Sequence, residues 1–134
     1  MKVSKAVFGY IEYEMYSYKE TKKEIGLYKE QIIESRPSSE VSVQSQLADT
    51  TASKGIKLMS SPFVLKAEKT VNAIDKSLKL LGNKHKELFE LKYINGLPLN
   101  EVYLEMNISK RSYYRIRREL VTVVGQQLGL INVV

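Results

Sequence analysis

Apolar residues recur at spacings of three and four along most of this chain, and a sustained two-residue alternation is missing throughout. That period predicts helices. Phe8, Ile11, Met15, Tyr18, Ile25 and Ile32 set one register, with Gly9 and Gly26 the only glycines and no proline. The reading is a single long helix from Val3 to about Ser35. Lys22 and Lys29 fall in the same register. Charges in a seam weaken a self-sufficient coiled coil, so the helix is expected to lie along a partner or along another helix of the chain. Tyr10, Tyr13, Tyr16 and Tyr18 add bulk around it.

From Arg36 to Ser61 the pattern lapses into a Ser- and Thr-rich stretch, RPSSEVSVQSQLADTTASKGIKLMSS. This reads as a linker, long for a loop within one compact domain. Its VSV at 41–43 is the only β-like run. Periodicity resumes at Ser61-Pro62, a helix start with Ser as N-cap and Pro at the first helical position. Val64, Ala67, Val71, Ile74, Leu78 and Leu81 then keep strict three-four spacing up to Gly82-Asn83. That seam is expected to serve as core, and part of it as a contact between two copies. A further helix, Lys84 to Ile94, presents Leu88, Leu91 and Tyr93, with Phe89 on an adjoining face, and ends at the αL-prone Asn95-Gly96. The fold class is therefore all-α. Residues 1–35 form a helical arm for interaction or dimerisation, 36–61 a polar linker and 62–134 a C-terminal helical domain.

Within that domain Pro98 to Leu120, PLNEVYLEMNISKRSYYRIRREL, predicts a helix-turn-helix. Leu99 to about Met106 is the first helix, with Val102 and either Tyr103 or Leu104 turned inward. Asn107 suits a left-handed helix exit, Ile108 plugs the angle, and Ser109 is an N-cap. The second helix places Tyr113, Ile116 and Leu120 inward at a period of 3.6. Beyond Leu120, Val121 to Leu130 either extends this helix or packs back.

Charge changes the picture most here. Between Lys110 and Arg118 stand Lys110, Arg111, Arg115, Arg117 and Arg118 without one acid. A generic surface helix mixes signs, as Lys84 to Lys92 does with Glu87 and Glu90. In helix-turn-helix proteins the second helix enters the major groove. Lys110, Arg111, Ser112, Tyr114 and Arg115 are expected to face the bases, where Arg and Lys can donate to guanine O6 and N7. Arg117 and Arg118, farther along, suit phosphates. The competing reading is a solvated basic face.

The 134 residues include 43% hydrophobic side chains, enough for a modest core, and carry a formal net charge of +6. A basic balance favours an anionic partner. The chain contains no Cys, which excludes disulfides, thiolate zinc sites and cysteine nucleophiles. No apolar run approaches the roughly 20 residues of a membrane span, and the N-terminus lacks a secretory pattern. No membrane partner and a cytoplasmic location are expected. His85, the only histidine, stands between lysines and is expected in solvent. Glu12/Glu14 and Glu87/Glu90 fit helix surface charges. No catalytic residue, metal ligand or cofactor site is expected, and hence no enzyme.

Asn83 to Leu120 resembles region 4 of bacterial sigma factors through Gly96-Leu97-Pro98-Leu99-Asn100-Glu101-Val102, a turn, and a basic helix. Tyr103 stands where sigma-type helices carry a small alanine. Ile108, Ser109, Arg111, Ser112, Tyr113, Tyr114, Arg115, Ile116, Arg117 and Arg118 resemble more closely the C-terminal end of the ArpU and RinA late transcription regulators of Gram-positive bacteriophages. The resemblance implies a DNA-binding activator of phage late genes, working in the cytoplasm of a bacterial host. Its partners would be double-stranded DNA and RNA polymerase, and it would pair as a dimer through the N-terminal helix or the 64–81 seam. Two other functions fit the same residues: a small terminase-like packaging subunit, and a protein-interaction module without specific DNA binding.

Overall fold

A computed structural model describes residues 3–34 and 62–132. Every regular element among them is helical, as the periodicity predicts. The order is α1 (Lys5–Tyr16), α2 (Tyr18–Glu34), α3 (Pro62–Leu80), α4 (Asn83–Leu88) running into a π-helical turn (Phe89–Ile94), α5 (Leu99–Glu105) and α6 (Lys110–Gln127). The expected linker at 36–61, with its VSV run and the Ser61 cap, lies outside the described residues.

The single helix expected over 3–35 is instead two. Ser17 has φ −84° and ψ −5°, well away from the helical ψ near −42°. Its N–H still closes on the Tyr13 carbonyl at 3.0 Å, ending α1 before α2 begins. Apolar spacing alone does not register such a break, because Met15 and Tyr18 stay three apart across it.

Among the described residues, 3–19 and 70–132 form one compact unit, and 20–34 with 62–69 form the other. The reason lies in the inner face of α1. Ile11 and Met15 have no accessible surface and join Ile74, Leu88, Phe89, Tyr93, Val102, Met106, Tyr113, Ile116, Leu120, Val121, Val124 and Ile131 in one core. Burying a side chain of this size contributes about 1.5–3 kcal/mol, so α1 is bound into the C-terminal domain. In the other unit Ile25, Val64 and Ala67 are buried. There Tyr28 meets Phe63 edge-on at 6.0 Å, and Lys29 pairs with Glu68 at 3.6 Å. Val64, Ala67, Val71 and Ile74 are all buried, so these four seam positions serve as core.

Two details fix the core around α6. Gly125 lets other elements approach closely, for a Cβ there would sit 2.7 Å from Ile11 Cδ1 and 2.4 Å from Ile131 Cδ1. After Gln127 the chain turns at Gly129 (φ 77°), whose left-handed conformation lets the Leu130 N–H reach the Gly125 carbonyl at 2.9 Å. The apolar C-terminus thus both extends the helix and packs back through Ile131.

Candidate nucleic-acid interface

The helix-turn-helix is built from local rules that the sequence satisfies one by one. Val102 on α5 is fully buried. Tyr103 is half-buried, its ring edge-on to Tyr113 at 6.5 Å. Leu104 is 69% exposed, so Tyr103 is the inward partner of Val102. Helix α5 ends with Asn107 at φ 55°. The Asn107 N–H bonds to the Leu104 carbonyl and the Ile108 N–H to the Tyr103 carbonyl, both at 3.1 Å. This paired bonding satisfies two free carbonyls and requires a left-handed residue, a conformation Asn tolerates. Ile108 packs against the core. Ser109 Oγ then accepts the Ser112 N–H at 3.0 Å, capping α6. Removing such a cap costs about 1 kcal/mol.

Along α6 Tyr113, Ile116 and Leu120 are buried. Lys110, Arg111, Tyr114, Arg115 and Arg118 are exposed on the opposite side, and Ser112 is half-buried. The Ser112 hydroxyl accepts a hydrogen bond from Ser109 Oγ at 3.0 Å, so it is tied to the cap. Arg115 pairs with Glu119 one turn on, at 3.1 Å. Lys110, Arg111 and Arg118 have no ion pair among the described residues.

Arg117 is placed differently from the other basic residues of α6. Its Nη2 donates to Glu12 Oε1 at 2.6 Å and its Nε to Glu12 Oε2 at 2.9 Å. Its guanidinium also lies over the Phe8 ring, 4.9 Å from the centroid. The Tyr93 hydroxyl donates to the same Glu12 Oε2 at 2.6 Å. The Arg117 and Glu12 side chains are only 27% and 13% exposed. Burial pushes the Glu12 carboxyl up, but the hydrogen bonds from Arg117 and Tyr93 and the charges of Arg117 and Lys92 outweigh it and hold the group below the usual carboxylate range. Arg117 is correspondingly raised by its bonds to Glu12. Burial, reinforced by Glu12, pushes the Tyr93 phenol far above its usual range. Of the seven side chains expected at DNA, Arg117 is thus held inward, bracing α6 against α1 and the π-helical turn.

The turn adds a second brace. Lys92 lies over the rings of Tyr16, Tyr93 and Tyr113, 5.4 to 5.9 Å from their centroids. Burial alone would lower its pKa, but hydrogen bonding to the Tyr16 and Tyr113 hydroxyls raises it overall. Tyr18 donates to Asp75, and burial together with that carboxylate pushes its phenol up to about 12.

Comparison with protein-family models, with curated proteins and with solved structures found no match. No helix among the described residues is long and apolar enough to cross a membrane. Nor does any group of three or more His, Cys, Asp or Glu among them stand where it could hold a metal ion.

Two further features escaped the sequence reading. His85 is not in solvent: its side chain is 15% exposed, and its Nε2 lies 3.7 Å from Glu119 Oε1. Neither ring nitrogen has a hydrogen-bond partner among the described residues. Lys5, on the first turn of α1, lines a cleft of about 740 Å³ together with Tyr114, Arg117 and Arg118 of α6. A signal for that proximity was the acid Glu12 beside the buried Ile11, one half of a pair whose other half stands 105 positions away.

Proposed function

We propose that this chain is a sequence-specific DNA-binding transcriptional regulator that reads the major groove with α6. One observation carries the reading. A capped helix, entered through a left-handed turn, buries Tyr113, Ile116 and Leu120 and presents Lys110, Arg111, Tyr114, Arg115 and Arg118 on its other side. Lys110 and Arg111 occupy the first turn, the part of a recognition helix that meets base edges. Arg115 follows one turn on, and its weak surface pair with Glu119 is readily exchanged, since such pairs are worth about 0.3–0.5 kcal/mol. Arg118 lies where a phosphate passes. Arg117 supports α6 from behind.

The resemblance of Ile108 to Arg118 to late regulators of Gram-positive phages supports a late promoter as the site of action and RNA polymerase as a second partner. One helix-turn-helix covers half of a typical operator, so two copies on a palindromic site are the economical arrangement.

Alanine variants test the assignment by fluorescence anisotropy on a duplex enriched by the protein from a random-sequence pool. Arg111→Ala and Arg115→Ala are expected to lower specific binding, by about 1–3 kcal/mol of discrimination for a bidentate base contact. Unchanged binding by both variants would remove the role given to this face.

A further inference from the structure

The cleft between α1 and α6 extends this surface beyond the helix-turn-helix. Among the described residues three cations line it, Lys5, Arg117 and Arg118, against one acid, Glu12. Glu12 is fully engaged by Arg117. Lys5 and Arg118 remain, one from each wall, exposed and without an ion pair among the described residues. The Tyr114 side chain, exposed on the same stretch of α6, adds a hydroxyl. An occupant with this chemistry is anionic and small enough to be held by two cations from opposite sides.

The position along α6 identifies its source. A helix rises 1.5 Å per residue, so Arg118 lies roughly 10 Å beyond Arg111. The major groove is about 12 Å wide. With the start of α6 at the base edges, Arg118 arrives at the sugar–phosphate strand that borders the groove. Lys5 faces the same cleft from α1.

We infer that this cleft seats a phosphodiester of that bordering strand, held between Lys5 of α1 and Arg118 of α6. The inference rests on the DNA-binding reading of α6 and adds α1 to the interface. It also gives the Glu12–Arg117 pair a second consequence, because that pair fixes the wall carrying Lys5 against the wall carrying Arg118.

The test is the salt dependence of binding, followed by anisotropy on the selected duplex and on a scrambled one. Wild type, Lys5→Ala, Lys5→Arg and Arg118→Ala are compared, with circular dichroism confirming equal helicity. Each lost phosphate contact removes about 0.9 from the slope of log K against log salt. Lys5→Ala is expected to lower the slope by about one, equally on both duplexes, as Arg118→Ala does, and Lys5→Arg to retain it. A Lys5→Ala slope equal to wild type, with Arg118→Ala reduced, overturns the two-walled phosphate seat and leaves the recognition helix standing. A wild-type protein that enriches no sequence and binds both duplexes alike overturns the underlying reading, and the seat with it.

Discussion

The Arg117 guanidinium closes on both carboxylate oxygens of Glu12, at 2.6 and 2.9 Å, across 105 positions of sequence. This bidentate pair joins the first helix of the chain to the last. Hydrogen bonds to charged groups contribute about 1.5–3 kcal/mol each. Glu12→Ala and Arg117→Ala are each expected to destabilise the fold by about 2 kcal/mol. The double variant should cost less than the sum, with a coupling of about 1–2 kcal/mol. Urea unfolding of the four proteins measures this directly, and strict additivity would show that the pair carries no stability.

The same pair makes stability depend on acid. The folded surroundings lower the Glu12 carboxyl from its ordinary value, which is roughly 4.3 in an unfolded chain. Its contribution is therefore complete above that unfolded value and is lost as pH falls through the folded one. The stability gap between wild type and Glu12→Gln is expected to be constant from about pH 6 to 8 and to narrow below about pH 4.3. Thermal unfolding over this range reads it, and a gap that widens in acid would contradict the assignment.

Gly125 is placed by packing, since its own backbone is ordinary helix. A side chain there meets Ile11 Cδ1 and Ile131 Cδ1 well inside contact distance. Gly125→Val is expected to destabilise by about 1–3 kcal/mol through overpacking. Ile11→Ala alone should cost about 2–5 kcal/mol through its cavity. Combined, the two should cost less than their sum, because the added methyl groups occupy the space that Ile11 leaves.

Much of the candidate site was legible because it rests on local rules. Asn107, Ser109 and the Tyr113–Ile116–Leu120 face each obey a constraint set within a few residues, and the structure shows all three. The place of α1 was not legible. Its three-four register states that one face needs a partner, and the register is the same whether that partner is a second molecule or α6. The inward turn of Arg117 was hidden for a related reason. Helical period sets it beside Ile116 on the edge of the buried face, and only the distant Glu12 decides which way its long side chain goes. His85 was misjudged because its lysine neighbours describe the surface of α4, whereas its own ring lies near Glu119 of α6.

Glu119 is an acid on an otherwise basic helix. It holds Arg115 at 3.1 Å and lies 3.7 Å from His85. On the DNA-binding reading proposed above, Glu119→Gln would remove a repulsion toward phosphate and release Arg115. DNA affinity is expected to rise by a few-fold at about 150 mM salt, where only nearby charges still act. A lower affinity by anisotropy would show instead that Glu119 orients Arg115 for its base.

The most direct measurement of the central claim is competition binding at about 150 mM salt, an ionic strength that screens loose surface electrostatics. A labelled duplex selected by the protein is titrated with protein in the presence of excess scrambled DNA. The account predicts tight binding that survives the competitor and is lost in Arg111→Ala. Equal displacement by scrambled DNA, with binding that disappears as salt rises, would contradict it and leave α6 as a basic surface without a code to read.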